Sequence, residues 1–443
     1  MLCVVVGTVL RFWALGAGTL TADETFSALA AHLPYGQIWG DIARTDRHPP
    51  LSYYLLGPIS HATTSTFALR VPAALAAVAA LVVFVWWQRR YGLGGLVASA
   101  IFAVSPFVLE YDRQARMFAL LTLGGVVAAA ASDRWLHAPE RRWALAAAGG
   151  GLIAAMSYSV GVLLPVLLVL VPGRRRDRAA WIFRLAAAGA AGVWVVTWLA
   201  NSLRWLGEPS GYPKLTPNWA AGILDATVAP VPDYQWIVLA MLAAGLVVAL
   251  REPGPRRQLT LALYVVPVVV MLVLSFHNEL FIPKTLLMIA WAPPVLLGGL
   301  VAKAWALRPI AGGAVIALLI VLIVPYVSAS LPIDEGAGSM LAAVARARRP
   351  GDAVAMNPPA LADLIEWYDG VVPGHALELD TSTIKGALVV RDRGVTPTGR
   401  IWLVQSILRS DELTIGPDLH SCGPTVDVGG GYTMRCVERG AGG

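Results

Sequence analysis

Long apolar runs with almost no charged side chain recur along most of the chain, as in 65–88 and 309–330. A helical run of roughly 20 residues matches the hydrocarbon thickness of a bilayer. Lipid offers the backbone no water, so only helices and closed barrels can cross it, and these runs are too long and too apolar for barrel strands. Charged residues make up 14% of the 443 residues, whereas about a quarter is typical of a soluble domain. The sequence therefore predicts a polytopic α-helical membrane protein.

The apolar runs predict about eleven transmembrane helices, of which the first is expected to act as an uncleaved anchor. Their expected bounds are 1–18, 65–88, 92–110, 116–132, 143–157, 159–173, 180–200, 236–250, 259–276, 285–302 and 309–330. The positive-inside rule assigns the basic links between them to the cytoplasm. These links hold Arg89–Arg90, Arg141–Arg142, Arg174–Arg176 with Arg178, Arg256–Arg257, and Lys303 with Arg308. The N-terminus is then cytoplasmic, the C-terminus is extracytoplasmic, and 143–173 crosses as a hairpin that turns near Tyr158.

Two parts of different composition follow from this topology. Residues 1–330 form the predicted transmembrane domain, in which 19–64 is a first outer loop. Residues 331–443 form a predicted small α/β domain outside the cytoplasm, because the segment is long enough for a core and alternates short apolar runs with turns. Helices are expected at Met340–Arg349 and Leu361–Tyr368, and strands at 352–356, 387–391, 400–405 and 432–437. An oxidising space would also allow a Cys422–Cys436 disulfide.

Charge is concentrated in the first outer loop, beginning with the adjacent pair Asp23 and Glu24. Adjacent residues do not face one way on a helix, so one carboxylate can point into a cavity while a partner holds the other. A partly buried carboxylate there would have a raised pKa and could act as a general base. A solvated loop pair, or a helix N-terminus capped by Thr21, would account for the same residues.

The second polar motif of this loop runs from Asp46 to Tyr54 and reads DRHPPLSYY. The proline pair fixes the backbone and extends the residue before it, which would hold Asp46 and His48 rigidly, as a binding site requires. Tyr53 and Tyr54 suit a membrane interface or a wall on which a sugar stacks. A proline-terminated loop with interfacial tyrosines would leave the same pattern.

A third motif, SPFVLEYDRQARMF at 105–118, joins two predicted spans on the outer side. Arg113 and Arg116 follow Asp112 and are three residues apart, so they could share a helix face and bind a phosphate. All three are candidate substrate-binding residues. Lys284 and Arg70 begin predicted spans on the same side and could also contact a lipid phosphate. Snorkelling toward lipid head groups would explain the arginines equally, and an anchoring role would explain Lys284 and Arg70.

Other chemistries leave no signal in the sequence. It contains no P-loop, no GxSxG, no HExxH and no paired CxxC. The net charge of +6 lies in short loops between spans, which favours membrane lipids as the partner and not nucleic acid.

The ordered motifs in about residues 8–120 resemble the C-type glycosyltransferase superfamily. They are Asp-Glu after the first span, Asp-x-His-Pro-Pro-Leu-x-Tyr-Tyr, Ala-Leu-Arg opening the second span, and Tyr-x-x-x-Ala-Arg-Met-Phe. The nearest branch contains bacterial relatives of dolichyl-phosphate-mannose protein mannosyltransferase and of the lipid A aminoarabinose transferase. The pattern departs from that branch where Tyr158-Ser159 replaces a His-Tyr pair and Lys284-Thr285 replaces Arg-Tyr.

The resemblance implies a bacterial plasma-membrane enzyme that transfers a sugar from a polyprenyl phosphate to an extracytoplasmic hydroxyl, with inversion. The acceptor would be a protein, a lipid or a polysaccharide. Asp23 would be the general base with Glu24 beside it, Asp46 and His48 would shape the pocket, and the arginines would hold the donor phosphate. No cofactor is expected, although the acidic loop leaves a divalent metal open. A lipid-linked-sugar translocase or a cell-envelope scaffold is the alternative.

Overall fold

The computed structural model describes residues 1–172, 177–204, 215–228, 234–278, 281–329, 337–357, 377–380, 388–392, 400–406, 419–429 and 432–439. The chain divides into two compact units. The first comprises Met1–Leu15, Pro34–Leu55 and Arg70–Pro332, and the second comprises Gly16–Leu33, Leu56–Leu69 and Ile333–Gly443. The predicted boundary between 1–330 and 331–443 stays a prediction.

Helices dominate the described part of the chain. They are α1 (Leu2–Phe12), α2 (Ala22–His32), α3 (Tyr35–Thr45), α4 (Leu51–Ala62), α5 (Thr66–Gln88), α6 (Gly92–Val104), α7 (Pro106–Asp112), α8 (Phe118–His137), α9 (Arg141–Ser157), α10 (Leu163–Leu168), α11 (Arg178–Arg204), α12 (Pro217–Ala226), α13 (Gln235–Arg251), α14 (Pro255–Thr260), α15 (Val266–Asn278), α16 (Pro283–Leu286), α17 (Ala292–Leu307), α18 (Pro309–Ala329) and α19 (Ala337–Ala347). Every apolar run that the sequence predicts as a span overlaps at least one of these helices.

Long apolar helices confirm the membrane-spanning character of the chain. Four helical stretches of the described residues are long and apolar enough to cross a bilayer: Thr66–Val104, Arg178–Arg204, Pro255–Phe276 and Pro309–Val327. The pair Pro283–Ile289 and Ala292–Leu307 would be a fifth span, broken by a bend of 59°. The total of eleven spans and the orientation in the membrane remain predictions.

Small residues allow the helices of the first unit to pack closely. Gly124 of α8 and Gly150 of α9 face each other, and a Cβ on Gly124 would lie 2.6 Å from the Gly150 carbonyl oxygen. Gly94 and Gly298 bring α6 and α17 together in the same way. Close backbone approach compensates for the absence of a hydrophobic driving force between helices in lipid.

The second unit contains a seven-stranded sheet. Its strands are β1 (Ala353–Asn357), β2 (Leu377–Asp380), β3 (Leu388–Asp392), β4 (Arg400–Ser406), β5 (Leu419–Ser421), β6 (Val426–Gly429) and β7 (Tyr432–Arg439). They follow the order β2-β3-β1-β4-β7-β5, and β6 pairs with β7. Among the described strands, β1 and β4 pair in parallel and the other pairs are antiparallel. Met340 and Val344 of α19 form one hydrophobic core with Val354 of β1 and Val404 of β4.

The structure confirms most of the predicted elements of the tail. The helix at 340–349, the four strands at 352–356, 387–391, 400–405 and 432–437, and the Cys422–Cys436 disulfide are all present within a few residues. The predicted helix Leu361–Tyr368 lies outside the described residues. Strands β2, β5 and β6 were not predicted, because each is only three or four residues long and too short to show an alternating pattern.

The segment 19–64, predicted as the first outer loop, is largely helical, and the alternative of a helix capped by Thr21 is confirmed. Helices α2, α3 and the start of α4 occupy most of 22–54. Pro34 separates α2 from α3, and Pro49-Pro50 separates α3 from α4, because proline ends a helix and favours the first position of the next. The two polar motifs therefore lie at helix ends, Asp23 and Glu24 at the start of α2 and Asp46 just after α3.

Candidate active site

The loop between α3 and α4 has a fixed conformation in the first unit. The Asp46 carboxylate accepts the His48 backbone N–H at 3.2 Å through Oδ1, and Tyr53 donates its hydroxyl to Oδ2. Tyr53 is completely buried, which fits this internal contact. The proline pair follows His48 directly. The hydrogen bonds of the Asp46 side chain and the restricted backbone of the prolines therefore both constrain residues 46–48. These contacts support the predicted rigidity of Asp46 and His48, which stays a prediction.

Distant residues hold the same loop by its carbonyl groups. On α11, Trp198 donates its indole N–H to the Arg47 carbonyl at 3.1 Å, and Asn201 donates to the Asp46 carbonyl at 3.1 Å. Ser159, at the turn after α9, donates its hydroxyl to the Arg47 carbonyl. Buried carbonyls need such partners, and these donors fix the direction in which His48 points.

His48 stacks on Tyr158, one of the two positions at which the sequence departs from the resembling branch. The ring centroids are 4.0 Å apart and the planes differ by 21°. Phe118 lies next to Tyr158, with ring centroids 6.1 Å apart. The turn Tyr158-Ser159 therefore belongs to the site, as a stacking partner and as a hydrogen-bond donor.

Two cationic side chains, Arg116 and Lys284, lie close to the Phe118 ring. The Arg116 guanidinium carbon lies 5.8 Å and the Lys284 ammonium 5.4 Å from the ring centroid. Both side chains are half-buried, and both lie within electrostatic range of His48. The predicted phosphate-binding residues Arg116 and Lys284 thus come together, next to the rigid loop of Asp46 and His48. We call these four residues, with Phe118 and Tyr158, the cationic site.

Burial is the main influence on the protonation of His48. Loss of solvent, followed by the charges of Arg116, Arg47 and Lys284, lowers the pKa of His48 to about 4, although Asp46 opposes the shift. The imidazole is therefore neutral at physiological pH, and it adds no further positive charge to the cationic site.

The lowered pKa predicts a specific acid sensitivity. Below pH of about 6.5 the unfolded chain binds a proton at His48 that the folded chain refuses, so stability is lost as pH falls toward about 4. We expect His48→Gln to flatten the fall of the melting temperature between these pH values, measured in detergent. The control, His420→Gln, changes an exposed histidine of β5 and should leave the wild-type profile. Identical profiles for wild type and His48→Gln would contradict the assignment.

Arg113 and Arg70 contact the chain that leaves α1. Arg113 donates to the Trp13 carbonyl, and Arg70 donates to the Leu15 carbonyl at 3.1 Å. Both are completely buried, and burial with the nearby charge of Arg70 lowers the pKa of Arg113 to about 10. Between the two carbonyls Ala14 has a φ of 51°, a strained value for a residue with a Cβ, and the two arginines restrain it.

The prediction that Arg113 and Arg116 share a helix face is wrong. Helix α7 ends at Asp112 and α8 begins at Phe118, so both arginines lie in the non-helical link between them. The link turns sharply, since the Arg116 N–H bonds to the Gln114 carbonyl at 2.7 Å. Arg113 consequently points to the Trp13 carbonyl, and Arg116 lies on Phe118.

Asp112 has a partner within the protein. Arg11 of α1 donates to its carboxylate through Nε at 3.2 Å and Nη2 at 3.1 Å, and both side chains are inaccessible to solvent. Arg11 also donates to the carbonyls of Gly7 and Ala103. The pair joins α1 to α7, so these contacts give Asp112 a structural task; a substrate contact by this residue stays a prediction.

Asp23 and Glu24 belong to the second unit, where their carboxylates have different surroundings. Thr21 caps α2 by accepting the Glu24 backbone N–H at 3.2 Å, and Glu24 accepts the Thr21 backbone N–H at 2.9 Å. This reciprocal capping box buries Glu24 completely. Asp23 is exposed at the second position of the helix, so Glu24 and not Asp23 is the buried carboxylate of the pair.

The remaining predictions concern Tyr54 and a metal. Tyr54 is half-buried and stacks with Tyr35 at 5.8 Å between ring centroids, while Tyr35 donates its hydroxyl to the Tyr54 carbonyl. Among the described residues, no group of three or more His, Cys, Asp or Glu side chains is placed to hold a metal ion.

No protein-family model matches the sequence, and a comparison with curated proteins gives no match either. Solved structures do match. ArnT from Cupriavidus metallidurans bound to undecaprenyl phosphate superposes over 98% of this chain and 97% of its own, with 13% identity and a TM-score of 0.59. The chain has the C-type glycosyltransferase fold.

Two other structures with the C-type glycosyltransferase fold match over part of their own length. The Archaeoglobus fulgidus oligosaccharyltransferase in the apo form has 10% identity and a TM-score of 0.50, covering 79% of this chain and 57% of that one. The mycobacterial arabinofuranosyltransferase AftD has 15% identity and a TM-score of 0.50, covering 100% and 40%. The resemblance seen in the sequence is thereby confirmed at the level of the fold.

Proposed function

We propose that this protein is a membrane glycosyltransferase of the bacterial plasma membrane. It moves a sugar from a polyprenyl-phosphate donor to an acceptor hydroxyl outside the cytoplasm. The observation that carries the proposal is the cationic site, in which Arg116 and Lys284 lie around Phe118 beside the rigid loop of Asp46 and His48. A structural neighbour over nearly the whole chain is a protein solved with undecaprenyl phosphate bound.

The proposed reaction is a single inverting displacement. The acceptor oxygen forms a bond to the anomeric carbon while the bond from that carbon to the phosphate oxygen breaks. The acceptor proton passes to the Asp23 carboxylate, and polyprenyl phosphate leaves with one additional negative charge. An exposed carboxylate suits this proton transfer, since Asp23 is accessible in its own unit.

The leaving phosphate is the group that gains charge, so the cations have their largest effect there. Arg116 and Lys284 would stabilise the departing phosphate by fixed electrostatic contacts. Lysine supplies a point charge and no bidentate grip, which leaves the geometric recognition of phosphate oxygens to Arg116. The neutral His48 adds no competing charge and would form part of the pocket wall with Tyr158.

Glu24 has an indirect role in this scheme. Its carboxylate is committed to the Thr21 N–H, so it fixes the start of α2 and with it the position of Asp23. We therefore assign Glu24 a positioning role beside the base. No step of the scheme needs a metal ion, and the proposal includes no cofactor.

The test uses purified protein in nanodiscs with radiolabelled polyprenyl phosphates of mannose, arabinose, galactose and glucose, and a membrane extract as the source of acceptor. We expect transfer from one donor, reduced about 10²-fold or more in Lys284→Gln, as for the loss of a preorganised electrostatic contact. Lys303→Gln, which removes an exposed lysine at the far end of α17, is the matched control and should retain activity.

Binding of polyprenyl phosphate is measured in the same samples. Donor binding without transfer from any donor, in the presence of several extracts, would favour a lipid-linked-sugar translocase. Absence of both binding and transfer would favour a cell-envelope scaffold. Full transfer by Lys284→Gln would remove the cationic site from the mechanism while leaving the enzyme class intact.

A further inference from the structure

A second cluster of cations lies in the first unit, where the ends of several helices meet. Arginine and tryptophan side chains alternate there from the end of α5 through α8 to α9. We call this set the arginine–tryptophan ladder, and it consists of Arg89, Trp86, Arg134, Trp143 and Arg142. The proposed transfer reaction uses none of these residues.

Cation–π contacts fix the guanidinium groups of the ladder. Arg134 lies 4.4 Å from the Trp86 ring centroid and 5.9 Å from that of Trp143, while Arg89 lies 5.9 Å from Trp86. Arg142 lies 4.9 Å from Trp143, and the two indole rings are 6.1 Å apart. Such contacts order side chains that would otherwise be flexible, so the positive charges occupy defined positions.

The acidic residues of this region are already engaged. Asp133 accepts the Trp87 indole N–H at 2.8 Å and the Tyr91 hydroxyl at 2.8 Å, and it lies 3.4 Å from Arg90. Glu140 pairs with Arg142 at 2.9 Å.

Two arginines of the ladder remain in excess. Within the described part of the chain, neither Arg89 nor Arg134 forms an ion pair, and the Arg134 Nε is buried without a hydrogen-bond partner. Burial, followed by the charge of Arg90, lowers the pKa of Arg134; Asp133 opposes this effect and Arg89 adds to it. Positive charges held close together without enough carboxylates are stabilised by an external anion.

The surroundings indicate which anion fits. The positive-inside rule assigns this end of the helices to the cytoplasmic leaflet, whose anionic lipids attract basic clusters at the ends of spans. Guanidinium groups bind phosphate oxygens through planar pairs of N–H groups. Half-buried tryptophans such as Trp86 and Trp143 suit the head-group level of a bilayer.

We propose that the arginine–tryptophan ladder binds the phosphate group of an anionic phospholipid through Arg89 and Arg134. The lipid is a structural ligand of the protein and not its substrate. The ligand would neutralise charges at the junction of α5, α8 and α9. The site is independent of the proposed transfer reaction, because that reaction uses none of these residues.

The experiment measures thermal stabilisation of the purified full-length protein in a neutral detergent. The ligands are dioctanoyl-phosphatidylglycerol, dioctanoyl-phosphatidylcholine and inorganic phosphate, each titrated separately. We expect saturable stabilisation by phosphatidylglycerol alone. Its apparent affinity should fall about tenfold in Arg89→Gln/Arg134→Gln. The control Arg141→Gln/Arg257→Gln removes the same charge from two exposed arginines of the same side and should keep the wild-type affinity.

Three results would overturn the proposal. Equal stabilisation by both lipids would mean that the negative charge is not recognised. An equal loss of affinity in the control variant would mean that net charge, and not the ladder, attracts the lipid. Saturation by inorganic phosphate at the same concentration would identify a site for free phosphate instead. The comparison of the three ligands on wild-type protein decides the proposal even where the double variant does not fold.

Discussion

Asp23→Asn is expected to lower the rate of sugar transfer about 10²- to 10⁴-fold, because a general base contributes a factor of this size. The substitution keeps the shape of the side chain and removes its ability to take the acceptor proton. Asp23 is exposed, and the capping box is formed by Thr21 and Glu24, so α2 should stay folded. The loss should appear in kcat under saturating donor, in the nanodisc assay described above.

Asp41→Asn is the matched control for this prediction. Asp41 is another acidic residue of the first outer loop, and it forms a surface ion pair with Arg44 one helical turn away on α3. An exposed pair of this kind contributes little to stability. The control should therefore transfer sugar at the wild-type rate. Retention of activity by Asp23→Asn would exclude Asp23 as the base, and binding of the donor by that variant would still test the cationic site.

The largest effect on stability is expected for Arg11→Met. This change leaves the Asp112 carboxylate without its partner between α1 and α7, and breaking a buried ion pair from one side costs about 3–5 kcal/mol. Melting temperature in detergent, together with the amount of protein recovered from the membrane, measures the effect. We expect a clear loss in both.

The double variant Arg11→Met/Asp112→Leu distinguishes the cost of an unpaired buried charge from the contribution of the ion pair itself. Replacing both members of a buried pair by apolar residues is often neutral or stabilising, so the double variant should recover most of the stability. Its transfer activity is informative as well. A stable but inactive double variant would show that Asp112 acts on the substrate in addition to holding Arg11.

Local patterns made much of the fold predictable. Apolar runs located the helices of the first unit, because the demand of lipid for apolar side chains acts on each segment separately. Thr21 was one candidate helix cap for the Asp23-Glu24 pair, and the spacing Thr21-x-x-Glu24 is that of the capping box the structure contains. The prolines next to Asp46 and His48 predicted a constrained loop in the same local way.

Long-range contacts account for what the sequence did not reveal. Trp198 and Asn201 hold the loop of Asp46 from 151 and 155 residues away, and they lie on a helix whose composition predicts only a span. The contact of Arg113 with the Trp13 carbonyl and the pairing of Arg11 with Asp112 depend equally on how helices cross. Nothing in a single sequence distinguishes an arginine that binds a carbonyl from one that binds a phosphate.

The second unit is assembled from the beginning and the end of the chain, and this fixes the order of events during biosynthesis. Ala22, at the start of α2, packs against a core formed by residues such as Met340 and Val404. A ribosome makes Asp23 more than three hundred residues before that core exists. The helix that carries the proposed base can therefore complete its packing only after the tail that supplies this core has been synthesised. Truncation of the tail would consequently remove the packing that holds the helix of Asp23. Loss of activity in a tailless chain would therefore be expected for an enzyme as well as for a scaffold.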